Sequence, residues 1–142
     1  MGRIEEEFAE YAGREMPLVI EPYRLDDAEI AVVAMGAIAS EARVAVESLR
    51  NKGIRAGLLR VKAFRPFPAK EIRKELEGKE VFVFDRSLSP GAGGILHGEI
   101  KAAFSDAGLN LRIVGLGGVD VTKRTIEKAI FGKDVWIKEV VA

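Results

Sequence analysis

Between Ile30 and Phe131 the sequence switches repeatedly between two hydrophobic periods, and that alternation constrains the fold more than any other feature. Ile30-Ala31-Val32-Val33-Ala34-Met35 is a continuous apolar run closed by Gly36, the pattern of a strand buried on both faces. The period then changes. Ile38, Ala42, Ala45, Val46 and Leu49 fall on one helical stripe, with Glu41, Glu47 and Arg50 elsewhere and Gly53 as a stop. Leu58 to Val61 gives another strand. Pro68 suits the first turn of the next helix, whose inner face is Ile72 and Leu76 and whose stop is Gly78. Val81 to Phe84 reads as a strand, and Leu96, Ile100, Ala103 and Phe104 as a helix ending near Gly108. Leu111 to Val114 is the last strand. Thr122 caps the final helix, with Val121 and Ile126 placed as a hydrophobic staple and Gly132 as its end.

Strands that alternate with helices of this length require right-handed crossovers. The expected fold is therefore α/β, with a mostly parallel sheet and helices on both faces. Leu18-Val19-Ile20, a short apolar run between Pro17 and Pro22, fits an edge strand better than a central one. Residues 1–16 read as a lead-in helix and linker, with Ile4, Phe8 and Tyr11 as a thin apolar stripe, and residues 17–142 as the domain proper. The tail Val135-Trp136-Ile137-Lys138-Glu139-Val140 alternates weakly, as an added edge strand or a partner-packing segment would.

Composition removes several classes of function. The 142 residues hold 22 basic and 22 acidic side chains, so no overall charge draws the chain to nucleic acid or an anionic membrane. No apolar run approaches the roughly 20 residues of a membrane helix. The charged start, Glu5-Glu6-Glu7, is unlike a secretory signal, and Glu6 does not fit a myristoylation site. With no cysteine there is no disulfide, thiol nucleophile or cysteine-held iron–sulfur cluster, and the single histidine, His97, cannot build a multi-histidine metal site. The expected setting is cytoplasmic.

Three turn segments follow strands and should gather on one edge of the sheet, where open α/β folds meet ligands or partners. They are Phe64-Arg65-Pro66-Phe67-Pro68, Asp85-Arg86-Ser87-Leu88-Ser89-Pro90-Gly91-Ala92-Gly93-Gly94, and Gly115-Leu116-Gly117-Gly118-Val119-Asp120. Gly91, Gly93 and Gly94 open a helix, either to make a tight turn or to cradle an anion with backbone N–H groups. They form neither a P-loop nor a G-x-G-x-x-G motif. Gly117 and Gly118 make a second such turn. Asp120 either faces a ligand or supports the positive end of the helix beginning near Thr122. Arg65 suits an interface or ligand contact as well as a solvated loop, and Arg86 has an ion-pair partner in Asp85 or in a facing turn. Ser87 and Ser89 have no nearby histidine, so no Ser-His hydrolase arises; His97 belongs on the polar side of its helix.

These segments, in this order, resemble the C-terminal domain of the pyruvate (2-oxo acid):ferredoxin oxidoreductase α subunit. The likeness runs from about Glu21 to Phe131, through Glu21-Pro22-Tyr23-Arg24, Met35-Gly36 and the three turns. It departs at Ala37, where a serine is usual, and at Pro90, where an aromatic is common. The resemblance implies a transketolase C-terminal-like fold, a three-layer α/β/α sandwich with five strands of which the first is antiparallel. It also implies a non-catalytic structural and interface domain, whose thiamine diphosphate, magnesium and iron–sulfur clusters belong to partner domains or subunits. The chain then stands as a fragment or a separately encoded piece, inactive alone. No catalytic, cofactor-binding or metal residue is assigned; Arg65, Phe67, Arg86, Ser87, Gly91, Gly93, Gly94, Gly117, Gly118 and Asp120 are the candidate interface. The alternative is an independent nucleotide- or phosphate-binding module that uses the glycine-rich edge.

Overall fold

The computed structural model describes residues 2–14, 17–104 and 109–134. Five strands, β1 (Ile20–Tyr23), β2 (Ile30–Met35), β3 (Ala56–Val61), β4 (Glu80–Asp85) and β5 (Leu109–Ile113), form one sheet in the order β1-β3-β2-β4-β5. β1 runs antiparallel to β3, and every other pairing is parallel. Five helices accompany them: α1 (Gly2–Ala12), α2 (Gly36–Asn51), α3 (Ala69–Leu76), α4 (Ile95–Ala103) and α5 (Lys123–Phe131). The expected three-layer architecture, with its antiparallel first strand, is the observed one.

The continuous apolar runs of β2 and β4 have a plain cause. Val32, Ala34, Phe82 and Phe84 face α2 and α5, while Ala31, Val33, Val81 and Val83 face α3 and α4, and all eight are buried. A polar residue at either phase would be stranded in one of the two cores. Half of the buried residues of helix α2 are alanines, Ala39, Ala42 and Ala45, set between Ile38 and the pair Val46 and Leu49.

Local signals held with small shifts. Thr122 caps α5 by accepting from the Thr125 N–H at 3.3 Å, and Thr125 Oγ1 reciprocates to the Thr122 N–H at 3.0 Å. Val121 and Ile126 pack on the same core, as a staple would. The first strand lies later than expected, at Ile20–Tyr23 rather than Leu18–Ile20, and includes Pro22. An edge strand tolerates this proline, because one side of its backbone has no ladder to serve. Helix α4 ends at Ala103, with Phe104 as its cap; Gly108 and the tail from Val135 lie outside the described residues. The lead-in helix α1 is present, and its Glu5 carboxylate accepts the Leu18 N–H at 2.6 Å.

Candidate functional site at the carboxyl edge of the sheet

The strand order determines where a crevice can form. From β2 the chain passes through α2 on one face to β3; from β4 it passes through α4 on the other face to β5. Helices leaving neighbouring strands toward opposite faces part from each other, so a gap opens at the carboxyl ends of β2 and β4. A recess of about 340 Å³ lies there, lined by Met35, Gly36, Ala37, Ile38, Phe84, Asp85, Arg86, Ser87 and Leu96. A second recess of about 490 Å³ runs along the outer side of β5 and includes Arg112, Ile130 and Lys133.

All three turn segments reach the carboxyl edge and are tied to their surroundings. Arg65 lies over the Phe64 ring at 4.2 Å from its centroid and donates to Glu99 of α4 at 2.6 Å, while its side chain stays exposed. Phe67 is half-buried, edge-on to Phe64 with ring centroids 5.9 Å apart, and packs on the core beneath α3 and α4. Arg86 does not pair with Asp85. It reaches instead to the facing turn, where its guanidinium donates to the Gly115 carbonyl at 3.4 Å. Gly115 sits at φ 65°, and a Cβ there would fall 2.7 Å from Val121 and 3.1 Å from Arg86 Nε; both the backbone and the close approach require glycine.

Asp85 is otherwise occupied. Buried at the end of β4, its carboxylate accepts the Leu96 N–H at 3.2 Å and the His97 N–H at 2.9 Å, the open donors of the first turn of α4. Gly94, the residue before that helix, brings no capping side chain, and Asp85 supplies the cap from another element. Burial pushes the Asp85 carboxyl above its ordinary range, against the opposing pull of the two amides. Gly94 is itself dictated by this contact, since a Cβ would lie 2.1 Å from Asp85 Oδ2.

Of the remaining glycines, Gly91 and Gly93 turn the loop through left-handed backbone, and Gly117 and Gly118 do so in the Leu116–Gly118 turn, where both are exposed. Ser87 is half-buried at the recess, and Asp120 is exposed beyond the last turn. His97 is not the surface residue its sequence position suggested. It is half-buried beside the Gly93 turn, and burial lowers its pKa. Among the described residues no hydrogen bond joins its ring to Ser87 or Ser89, so no nucleophile–base pair is formed there.

Two features of this edge were not singled out from the sequence. Leu88 and Ile95 flank the glycine loop with 40% and 52% of their surface exposed, next to the exposed Pro90. The other is the use of buried polar groups. The three buried polar or charged side chains among the described residues are Asp85, Arg112 and Thr125. Asp85 and Thr125 serve helix N-termini. Arg112, on β5, donates to the carbonyls of Ala129 and of Gly132 (3.0 Å) at the C-terminal end of α5, and lies 5.1 Å from the Phe82 ring centroid. Each of these three residues therefore completes a helix end; Glu127 Oε1, on α5, is also buried and has no hydrogen-bond partner. A signal for Asp85 did exist in the sequence: an aspartate closing an apolar strand, ahead of a helix with no cap of its own.

Residues 28–126 match the family described as pyruvate:ferredoxin oxidoreductase core domain II. The pyruvate synthase subunit PorA of Methanothermobacter thermautotrophicus is 45% identical over 125 residues, which cover 87% of this chain and 32% of that protein. The ketoisovalerate oxidoreductase subunit VorA of Pyrococcus abyssi is 40% identical over 121 residues, covering 82% of this chain and 31% of that one. In shape the chain is similar to a 2-oxoglutarate:ferredoxin oxidoreductase from Magnetococcus marinus, solved with 2-oxoglutarate, coenzyme A and succinyl-CoA bound. The TM-score is 0.67 at 18% identity, over 90% of this chain and 21% of the other. The chain thus spans about a third of the length of the curated relatives it matches.

Proposed function

Because the chain belongs to the pyruvate:ferredoxin oxidoreductase core domain II family, we propose that it is the structural and interface domain of a thiamine diphosphate-dependent 2-oxo acid:ferredoxin oxidoreductase, corresponding to the C-terminal portion of the α subunit. Pyruvate is the first choice of substrate for the whole enzyme, since a relative with that name reaches 45% identity. Residues 17–142 form the working domain and residues 1–16 lead into it. The assembly is cytoplasmic, and its other domains and subunits are this chain's partners. Among the described residues no helix is long and apolar enough to cross a membrane.

The observation that carries a non-catalytic role is the engagement of Asp85, Arg112 and Thr125 with helix ends. Catalytic acids and bases need buried polar groups with a free valence toward substrate. Nor do the residues present fit the family's cofactors. Among the described residues no cluster of three metal-ligating side chains occurs. The chain has no cysteine to hold an iron–sulfur cluster; in this proposal the clusters, thiamine diphosphate and magnesium belong to partner domains.

The interface lies at the carboxyl edge. Leu88 and Ile95 project beside the recess, and exposed apolar side chains grouped around a concavity are what a partner surface covers. Truncating Arg65 or Phe67 would be an ambiguous probe, because Arg65 holds Glu99 and Phe67 packs on the core. Leu88→Ser and Ile95→Ser are cleaner. Size-exclusion of the chain with the thiamine-binding and cysteine-rich subunits should show association weakened about tenfold or more in each variant, with the melting temperature unchanged. Equal association in both variants would sink the interface reading. Acceptor reduction by the purified chain alone, supplied with 2-oxo acid, coenzyme A, thiamine diphosphate and magnesium, would sink the non-catalytic one.

One observation favours a second reading. The recess of about 340 Å³ at the switch point is within the size range of small-molecule sites. A binding module for nucleotides or phosphates would show a ligand-induced rise in melting temperature with ATP or coenzyme A in the absence of partners.

A further inference from the structure

Neither recess includes the charge grouping around Glu21. Glu21, in the middle of edge strand β1, faces three cations. Arg60 on β3 lies directly across the ladder, its NH1 3.8 Å from the carboxylate. Lys62, just past β3, places Nζ at 3.6 Å, and Arg43 of α2 places NH1 at 3.8 Å. The neighbouring acid on α2, Glu47, is already neutralised, since it accepts from Arg24 at 2.9 Å and from the Tyr23 hydroxyl at 2.6 Å.

Two details make this more than an ordinary surface ion pair. All three separations lie beyond hydrogen-bonding range, so the carboxylate is a shared counter-ion and none of the three cations has its donors saturated. Part of the group is also withdrawn from water: the side chains of Lys62, Glu21 and Arg60 are 22%, 28% and 34% exposed, against 55% for Arg43. Screening is weakened there, and the unbalanced charges repel. Arg43 is held in place by the Tyr23 ring, 4.2 Å below its guanidinium. Three positioned cations against one anion leave two positive charges without a partner, in a chain whose total charge is zero.

We propose that Arg43, Arg60 and Lys62 form a docking surface for an acidic segment of a partner protein, with Glu21 as the internal competitor that occupies the surface when the partner is absent. A segment carrying several carboxylates suits it better than a single small anion, because the cations come from α2, from β3 and from the residue that follows β3, across an open corner of the sheet. None of them lines either recess. Pro22, exposed on the same edge strand, has no N–H to offer, which disfavours strand addition and leaves side-chain charge as the means of recognition. The surface is separate from the Leu88–Ile95 edge, so either can fail without the other.

The test is calorimetric titration of the full chain with a hexaglutamate peptide, with hexaglutamine and inorganic phosphate as comparison probes. Hexaglutamate should bind and weaken steeply between about 20 and 150 mM salt, while hexaglutamine should not bind. Arg60→Gln, Lys62→Gln and the surface variant Arg43→Gln should each weaken it about two- to fivefold. Glu21→Gln should tighten it, a change of sign that general loss of folding cannot imitate. The proposal is overturned if the peptide does not bind, if the cation variants bind it as well as the parent does, or if Glu21→Gln weakens it. Phosphate binding as tight as that of hexaglutamate would also overturn it, in favour of a small-anion site.

Discussion

Replacing Gly94 by alanine tests the central contact of the carboxyl edge. The backbone there has φ −77° and ψ 146°, a region open to every residue. On backbone grounds alone the substitution would stabilise by about 0.4–1 kcal/mol, by restricting the unfolded chain. The contact reverses that sign. The new Cβ would stand 2.1 Å from Asp85 Oδ2, 2.6 Å from its Cγ and 2.8 Å from its Cβ, which no bond rotation of the methyl relieves. The carboxylate must swing away, and the Leu96 and His97 amides lose their acceptor. A lost cap costs about 0.5–2 kcal/mol, and a buried N–H without a partner about 1–3 kcal/mol. The net expectation for Gly94→Ala is a destabilisation of about 2–4 kcal/mol, or roughly 6–15 °C in Tm for a domain of this size. Urea unfolding of Gly94→Ala, Asp85→Ala and the double variant apportions the effect. With Asp85 truncated the two nearest atoms are gone and only its Cβ, at 2.8 Å, is left for the methyl to strike, so the two losses should be less than additive, with a coupling of about 2 kcal/mol. Additive losses, or a Gly94→Ala protein as stable as the parent, would refute the reasoning.

Arg112→Met keeps the stem of the side chain on Phe82 but removes the donors to the Ala129 and Gly132 carbonyls, and should destabilise by about 2–3 kcal/mol in the same assay; a neutral effect would show that these carbonyls find water instead. Asp85 should also leave a mark on pH dependence. Its carboxyl titrates higher in the folded chain than in the unfolded one, so its contribution is full below the unfolded pKa and is lost as pH rises through the folded one. The stability of the parent relative to Asp85→Asn, followed between about pH 3 and 7, should therefore fall with rising pH; a difference that grows with pH would contradict a carboxylate dominated by burial.

What the sequence disclosed and what it withheld divide along a physical line. The inner strands were legible because both of their faces are buried: Ile30 to Met35 and Val81 to Phe84 must be apolar at every position, and nothing else in a chain of this size forces that. The edge strand β1 has no such constraint. Its residues Ile20-Glu21-Pro22-Tyr23 mix charge, ring and apolar groups, so the nearby apolar run Leu18-Val19-Ile20 drew the expected boundary two residues early. The carboxyl-edge turns were legible as a group because parallel strands deliver their ends to one side. Their internal partners were not. Arg86 had two candidate partners, and only the packing of the third turn against the second decides for the Gly115 carbonyl. Asp85 is eleven and twelve residues from the amides it caps, and Arg112 is seventeen and twenty from the carbonyls it holds.

Those long-range caps also bear on function. A charged side chain buried at the end of a parallel strand is the usual mark of chemistry in an α/β fold. Here Asp85 occupies that very position, and a reader of the sequence alone would be drawn to it, or to Arg86 beside it. The structure gives Asp85 two amide donors and places Gly94 hard against it, so the carboxylate has no open approach for a substrate group from that side. The switch-point crevice is then lined by a spent acid, by apolar Met35, Ile38, Phe84 and Leu96 and by Arg86 and Ser87, with the exposed Leu88 and Ile95 next to Ser87 and Leu96 in the chain. A surface built this way has more to offer an apolar side chain of a neighbouring subunit than a reacting molecule. That contrast with α/β proteins whose active sites lie at this edge supports its proposed role as a seat for assembly.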